Sequence, residues 1–208
     1  HDEPQHKKQG RVMLSMLEAM EIPHSILGPE IVDPQAALKD ALAYVRKMSA
    51  PYALVIKKGT FKPFAVPKVE KTEFPLSREE AIQQVIESLG ERDALISTTG
   101  MPSREVYEYR SKRGGGHQRD FLTVGGMGHA SQIALGIALQ KPGRPVYCLD
   151  GDGALLMHMG ALAITGALKP RNFKHIIVNN GAHDSVGGQP TVAFDVDVPG
   201  IAHASGYE

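Results

Sequence analysis

Apolar positions along this chain switch between two periods. Residues 11–20, Arg-Val-Met-Leu-Ser-Met-Leu-Glu-Ala-Met, are apolar at helical spacing. Residues 22–27 form a short strand candidate. Asp33-Pro34 then opens a helix with an acidic N-cap and a first-turn proline, running to about Met48. Residues 52–56, Tyr-Ala-Leu-Val-Ile, predict a buried strand. The pattern then lapses. Residues 57–74 are polar and Lys-rich, carry Pro63 and Pro67, and are followed by Pro75, the composition of an interdomain linker.

Beyond it the alternation becomes regular. Ser77-Arg-Glu-Glu80 is a capping box, and its helix runs to Leu89 with Ala81, Val85 and Leu89 on one stripe. Strand 94–97 ends at Thr98-Thr99-Gly100. A helix from Glu105 to about Arg113 is broken by Gly114-Gly115-Gly116. Strand 121–124 leads into Gly125-Gly126-Met127-Gly128, and helix 129–140 carries Ile133 and Ile137 on one face. Strand 146–149 ends on Asp150-Gly151-Asp152-Gly153. One helix-like stretch covers about 154–168, and the apolar run 176–178 stops at Asn179-Asn180. No strand is legible after Phe194. This order predicts an α/β fold, a parallel sheet with helices on both faces. Ligands of such sheets gather at the carboxyl ends of the strands. Four of those ends here are small, polar or both.

The last two ends carry the most chemistry. A right-handed crossover through residues 154–178 puts Asp152 and Asn180 on one edge of the sheet. A carboxylate and a carboxamide are hard oxygen ligands, suited to Mg²⁺ or Ca²⁺ rather than zinc. Gly153 and the helix start after it offer backbone N–H groups to a phosphate. Two turns that merely join strands would leave both features unexplained.

Composition narrows the remaining classes. The 208 residues include 42% hydrophobic positions and 22 glycines, ordinary for an α/β protein. Lys+Arg and Asp+Glu both number 23, so charge makes no case for nucleic acid or a membrane surface as partner. The single Cys148 lies in an apolar strand and predicts a buried, inert thiol. No apolar stretch reaches transmembrane length, and residues 1–8 lack the apolar core of a signal peptide, so the cytoplasm is the expected compartment.

Residues 126–139, Gly-Met-Gly-His-Ala-Ser-Gln-Ile-Ala-Leu-Gly-Ile-Ala-Leu, then 150–153, Asp-Gly-Asp-Gly, then 179–191, Asn-Asn-Gly-Ala-His-Asp-Ser-Val-Gly-Gly-Gln-Pro-Thr, carry a resemblance. The GDG followed by NN resembles the thiamin-diphosphate (ThDP) motif, and the whole set resembles phosphonopyruvate decarboxylase, with sulfopyruvate decarboxylase a close relative. The resemblance implies a ThDP-binding fold. Residues 1–56 would be the C-terminal part of a truncated pyrimidine-binding domain, residues 57–76 a linker, and residues 77–208 the diphosphate-binding domain, its C-terminal end also cut. Asp152 and Asn180 match the family's metal-binding side chains, and Ala182 the position that gives a backbone carbonyl. Gly153 and Ala154 match the donors to the diphosphate, within a cofactor set that also takes in Thr99, Gly100 and Gly151. Met127 matches the apolar residue that props the bent cofactor, and Gly125 the carbonyl that receives its exocyclic amine.

The resemblance further implies a small anionic 2-oxo acid as substrate and a homo-oligomer with its site between subunits. His129 and His183 are candidate proton donors, and Asp184 and Ser185 candidates to orient His183 or the substrate. Gly187-Gly188 is a candidate anion nest. Arg110, Lys112, Arg113, His117 and Arg119 form a basic, Gly-rich loop, read first as a solvated loop and alternatively as the site of a phosphonate, for which Arg119, nearest a strand, is the best placed. The family's activating Glu of the pyrimidine domain is expected ahead of His1. Glu18, Glu21 and Glu30 do not match its motif. The expected reaction is decarboxylation of 3-phosphonopyruvate. The alternatives are sulfopyruvate as substrate, or a cofactor-binding subunit that needs a separate pyrimidine domain.

Overall fold

A computed structural model describes residues 6–30, 33–63 and 74–208, and the chain divides into two units, His1–Lys71 and Thr72–Glu208. Residues 64–73, the heart of the expected linker, lie outside the described residues.

The first unit holds α1 (His6–Ala19), β1 (His24–Leu27), α2 (Pro34–Met48) and β2 (Ala53–Ile56). The two strands pair in parallel, from His24↔Ala53 to Leu27↔Ile56. Asp33 caps α2 by accepting the N–H groups of Gln35 at 2.9 Å and Ala36 at 3.1 Å, which satisfies two of the donors a helix start leaves free. Helix α1 starts at His6 rather than at residue 11. Its first turn, Lys7, Lys8 and Gln9, is made of good helix formers that carry no apolar period.

The second unit is a four-stranded parallel sheet with spatial order β4-β3-β5-β6. Its strands are β3 (Ala94–Ser97), β4 (Asp120–Leu122), β5 (Val146–Gly151) and β6 (Phe173–Val178), and its helices are α3 (Arg78–Ser88), α4 (Met101–Lys112), α5 (Ala130–Gln140), α6 (Asp152–Met157), α7 (Ala161–Leu168) and α8 (Val198–Ala204). Side-chain alternation sorts the core into two layers. Ala94, Ile96, Val146 and Cys148 face α5 and bury Ala130, Ala134 and Ala138. Leu95 and Leu149 face the other way, onto Ile82, Ile86 and Val106 of α3 and α4. Helices therefore cover both faces, as the α/β reading requires. Cys148 is fully buried, and burial, with Asp150 nearby, pushes its thiol pKa well above the ordinary range.

Several boundaries differ from the sequence expectation. The buried stripe of α3 is Ile82 and Ile86, with Leu89 packed beside them, one position away from the Ala81/Val85 stripe. Helix α4 starts at Met101, not Glu105, because Pro102 sits in its first turn, where a missing N–H costs nothing. Strand β4 is displaced to Asp120–Leu122. The stretch read as one helix over 154–168 is two, α6 and α7, parted by a turn at 158–160. Beyond Phe194 the described chain forms no strand, only α8. Gly166 lets the end of α8 close on α7, since a Cβ there would lie 1.9 Å from Ser205 O.

The chain leaves β3 outward to β4, then crosses back over β3 to reach β5 and β6. The winding direction thus reverses between β3 and β5, and the crevice outside their carboxyl ends is the position where such sheets bind ligands.

Candidate active site

That crevice is a cavity of about 50 Å³ lined by Arg78, Thr98, Thr99, Met127, residues 151–154, Asn180 and residues 182–186, among others. Residues 98–99 follow β3, Asp152 and Gly153 open α6 directly after β5, and Asn180 follows β6. Three strand ends thus deliver the small and polar groups that the sequence placed there.

Asp152 is 3% exposed, and its Oδ2 accepts the Thr191 hydroxyl at 2.5 Å. The Asn180 carboxamide accepts the Ala182 N–H at 3.2 Å through Oδ1 and donates from Nδ2 to Asp184 Oδ2 at 2.8 Å. The neighbouring Asn179 serves the loop instead. It accepts the Gly181 N–H at 3.0 Å and donates to Ala193 O at 3.2 Å. Thr98 is among the lining residues, and its Oγ1 is buried with no hydrogen-bond partner among the described residues. A buried hydroxyl in that state costs free energy unless a ligand or water satisfies it.

Asp150 turns away from this edge. It is 1% exposed, its Oδ1 accepts the Gly151 N–H at 3.0 Å, and its Oδ2 lies 3.4 Å from His175 Nε2. Two residues apart on one chain, Asp150 braces the sheet and Asp152 enters the cavity.

Residues 183–186 close the crevice. A Cβ on Gly153 would lie 2.4 Å from His183 Nδ1, and one on Gly100 would lie 2.0 Å from Ser185 Oγ. The glycines therefore admit this segment against the starts of α6 and α4, where the Met101 N–H donates to Ser185 Oγ at 3.2 Å. At Gly100 the backbone also needs glycine, because φ is +97°. Gly125, with φ +78°, donates its N–H to Thr99 Oγ1 at 2.8 Å.

Of the other sequence candidates, His129 stays off the cavity lining. Its Nδ1 lies 3.0 Å from Gly126 O, and its ring packs on His158 at 4.3 Å between centroids. The basic loop is at the opposite edge. It precedes β4, so it lies at the amino ends of the strands, and Arg119 spends its guanidinium on Gly90 O at 2.8 Å. Arg110 pairs with Asp120 at 2.7 Å, and Arg113 with Glu87 at 2.5 Å. This placement goes against the alternative in which Arg119 binds a substrate anion and agrees with the loop's having no part in the crevice.

Sequence reading missed Arg78 and Thr191. Arg78 Nε and Nη2 grip Glu105 at 2.7–3.2 Å, and Nη1 pairs with Asp184 Oδ2. The Glu105 carboxylate, aided by Asp184, raises the guanidinium pKa above its ordinary value, so the cation is permanent. The available signal was position. Arg78 is the first residue of a capped helix, and a helix packed antiparallel to the strands starts at their carboxyl edge.

Comparison with known proteins fits this geometry. The family "Thiamine pyrophosphate enzyme, C-terminal TPP binding domain" matches residues 98–204. The chain belongs to this family. It is 34% identical over 99% of its length to a phosphonopyruvate decarboxylase of Streptomyces viridochromogenes, covering 54% of that protein. It is 37% identical over 64% of its length to a sulfopyruvate decarboxylase subunit beta of Methanothermobacter thermautotrophicus, covering 68% of it. The chain thus spans about half the length of the phosphonopyruvate decarboxylases it matches. A proposed thiamin diphosphate-dependent enzyme from Mycobacterium smegmatis has the same fold, with a TM-score of 0.50 at 20% identity over 64% of this chain and 26% of its own.

The residues present suit a magnesium-bound diphosphate. The side-chain donors Asp152 and Asn180 offer hard oxygen atoms, and glycines at the starts of α4 and α6 leave room beside the helix N-termini that the side chains of His183 and Ser185 now fill.

Proposed function

We propose that this chain contributes to a ThDP- and Mg²⁺-dependent decarboxylase that converts 3-phosphonopyruvate to phosphonoacetaldehyde and CO₂. The observation that carries this reading is the meeting of Asp152 and Asn180 at the ends of adjacent parallel strands, beside the starts of α4 and α6. When bound, ThDP supplies the electron sink that lets a 2-oxo acid lose CO₂.

The chain's own residues bind and orient. Asp152, Asn180 and the Ala182 carbonyl hold Mg²⁺, and the Gly153 and Ala154 N–H groups, with Thr99, Gly100 and Gly151 around them, receive the diphosphate. Met127 and Gly125 position the rest of the cofactor. His183, whose ring lies over Gly153, delivers a proton from a ring nitrogen, and Ser185 orients the segment that carries it. His129 is the weaker candidate for that proton, because Gly126 O already engages its Nδ1. The first unit belongs to the pyrimidine-binding domain, and the assembled site lies between subunits of a homodimer, which the mass of the protein in solution tests.

Side-by-side turnover of 3-phosphonopyruvate and sulfopyruvate, by the protein expressed from its full reading frame, tests the reaction. Preference for sulfopyruvate overturns the substrate assignment. A second reading, a cofactor-binding subunit with a separate pyrimidine-domain partner, is favoured by the relative named as a beta subunit. It predicts no turnover until that partner is added.

A further inference from the structure

Arg78 holds its two carboxylates in unlike ways. The fork to Glu105 uses Nε and Nη2, and Glu105 is 11% exposed, so this partner is fixed and sets the plane of the guanidinium. The third nitrogen, Nη1, faces Asp184, whose side chain is 40% exposed. Asp184 is the replaceable partner. It rides on a single 3₁₀ turn, Asp184–Val186, followed by Gly187 at φ +126° and Gly188 at φ +75°, both conformations glycine adopts without strain. The chain before it bends at Gly181, φ +66°.

The carboxylate of Asp184 also accepts from Asn180 Nδ2 at 2.8 Å, so one oxygen receives a cationic and an amide donor at the mouth of the crevice. That is the coordination an incoming oxyanion would need. The crevice is open to solvent, and Asp184 occupies the one face of Arg78 that Glu105 leaves free, so an anion reaches Nη1 only if residues 183–186 shift. When they shift, Arg78 loses Asp184 and keeps Glu105.

We propose that Arg78 is the specificity residue for the distal anion of the substrate, a tetrahedral phosphonate or sulfonate, and that Asp184 holds that place until the substrate arrives. This rests on the decarboxylase reading above. A tetrahedral oxyanion replaces the lost charge-assisted hydrogen bond and offers further oxygens to the same donors. Pyruvate, with a methyl group there, leaves Nη1 without an acceptor in a part-buried site while Glu105 still holds the other two nitrogens, and a donor left without its acceptor is a basis for rejection. The basic loop lies at the other edge, where Arg110, Arg113 and Arg119 are engaged, and does not compete for this role.

The test uses the protein from its full reading frame, loaded with Mg²⁺ and ThDP, as parent and as Arg78→Gln, Arg78→Lys and Asp184→Asn. Three readouts are needed: kcat and KM for 3-phosphonopyruvate, sulfopyruvate and pyruvate; calorimetric affinity for Mg²⁺–ThDP; and calorimetric affinity for methylphosphonate, which needs no turnover. Arg78→Gln should lower the ratio of kcat/KM for 3-phosphonopyruvate over pyruvate by about tenfold or more, mostly through KM, and weaken methylphosphonate by a similar factor. Arg78→Lys should retain part of both and decides the matter if the Gln variant fails to fold. Asp184→Asn should lower KM for the anionic substrates by removing their competitor. An equal loss on pyruvate and 3-phosphonopyruvate overturns the proposal, as does a fall in Mg²⁺–ThDP affinity that accounts for the whole effect. If the parent turns over none of the three acids, the decarboxylase reading falls instead, and methylphosphonate affinity alone then decides whether Arg78 is an anion site.

Discussion

The two edges of the four-stranded sheet make opposite uses of charge. The amino edge is rich in cations, yet three arginines there each meet a partner within the protein: Arg110 with the buried Asp120, Arg113 with Glu87, and Arg119 with a backbone carbonyl. His117 adds a second contact to Asp120 at 3.3 Å and stacks on Tyr107. The carboxyl edge has fewer charges, but it brings together two helix starts that begin at or beside glycine, and a carboxylate and a carboxamide that follow neighbouring strands. Charge density therefore does not mark a site. What marks it is where the fold delivers its polar groups: those of the carboxyl edge converge on a crevice, while the cations of the amino edge are set against Asp120, Glu87 and a backbone carbonyl.

The sharpest way to break this contrast is at Asp152. Asp152→Ala should abolish Mg²⁺-dependent ThDP binding in calorimetry, because it removes the carboxylate that enters the cavity. Asp150→Ala should leave part of that binding, since Asp150 turns to His175 and the Gly151 N–H. Parent-like affinity in the Asp152 variant would show that the carboxyl edge is not the metal site.

At the amino edge the largest effect should be on stability. Arg110→Ala strips the cation from a carboxylate that is 1% exposed, and removing one member of a buried pair costs about 3 kcal/mol or more. Denaturant unfolding should show that loss while ThDP affinity in the folded fraction stays within twofold or so of the parent. A matching loss of cofactor affinity would mean that the two edges are coupled. Gly100→Ala comes next. It forces a side chain to φ +97° against Ser185, which should cost about 1–2 kcal/mol and also weaken ThDP binding, because the clash lies at the carboxyl edge. Thermal melting and calorimetry on one sample separate the two effects.

The strands of the second unit were legible because β3 and β5 are nearly continuous apolar runs and end abruptly in glycine, threonine or aspartate. Asp152 and Asn180 were legible for the same reason, as oxygen-bearing groups at those stops. The break between α6 and α7 was not, because residues 154–168 are apolar on all sides and only a turn at 158–160 divides them. Arg78 was not legible either. Its partner Asp184 lies 106 positions away, and a capping box reads as local structure whether or not its first helical residue faces a crevice. Conversely, a run of arginines beside three glycines leaves a solvated loop and an anion site both open until the fold shows which edge it occupies.

Arg119 gives the smallest effect and tests the contrast most directly, because the sequence made it the best placed of the loop residues for a substrate anion. Its guanidinium donates to Gly90 O at 2.8 Å in an exposed setting at the amino edge. Arg119→Ala removes one hydrogen bond to a carbonyl that water can reach, so it should cost about 0.5–1 kcal/mol in thermal or denaturant unfolding. KM for 3-phosphonopyruvate should not move, since no described strand end near Arg119 faces the crevice. A several-fold rise in KM with unchanged stability would mean that the amino edge reaches the substrate, and the assignment of substrate recognition to the carboxyl edge would fall with it.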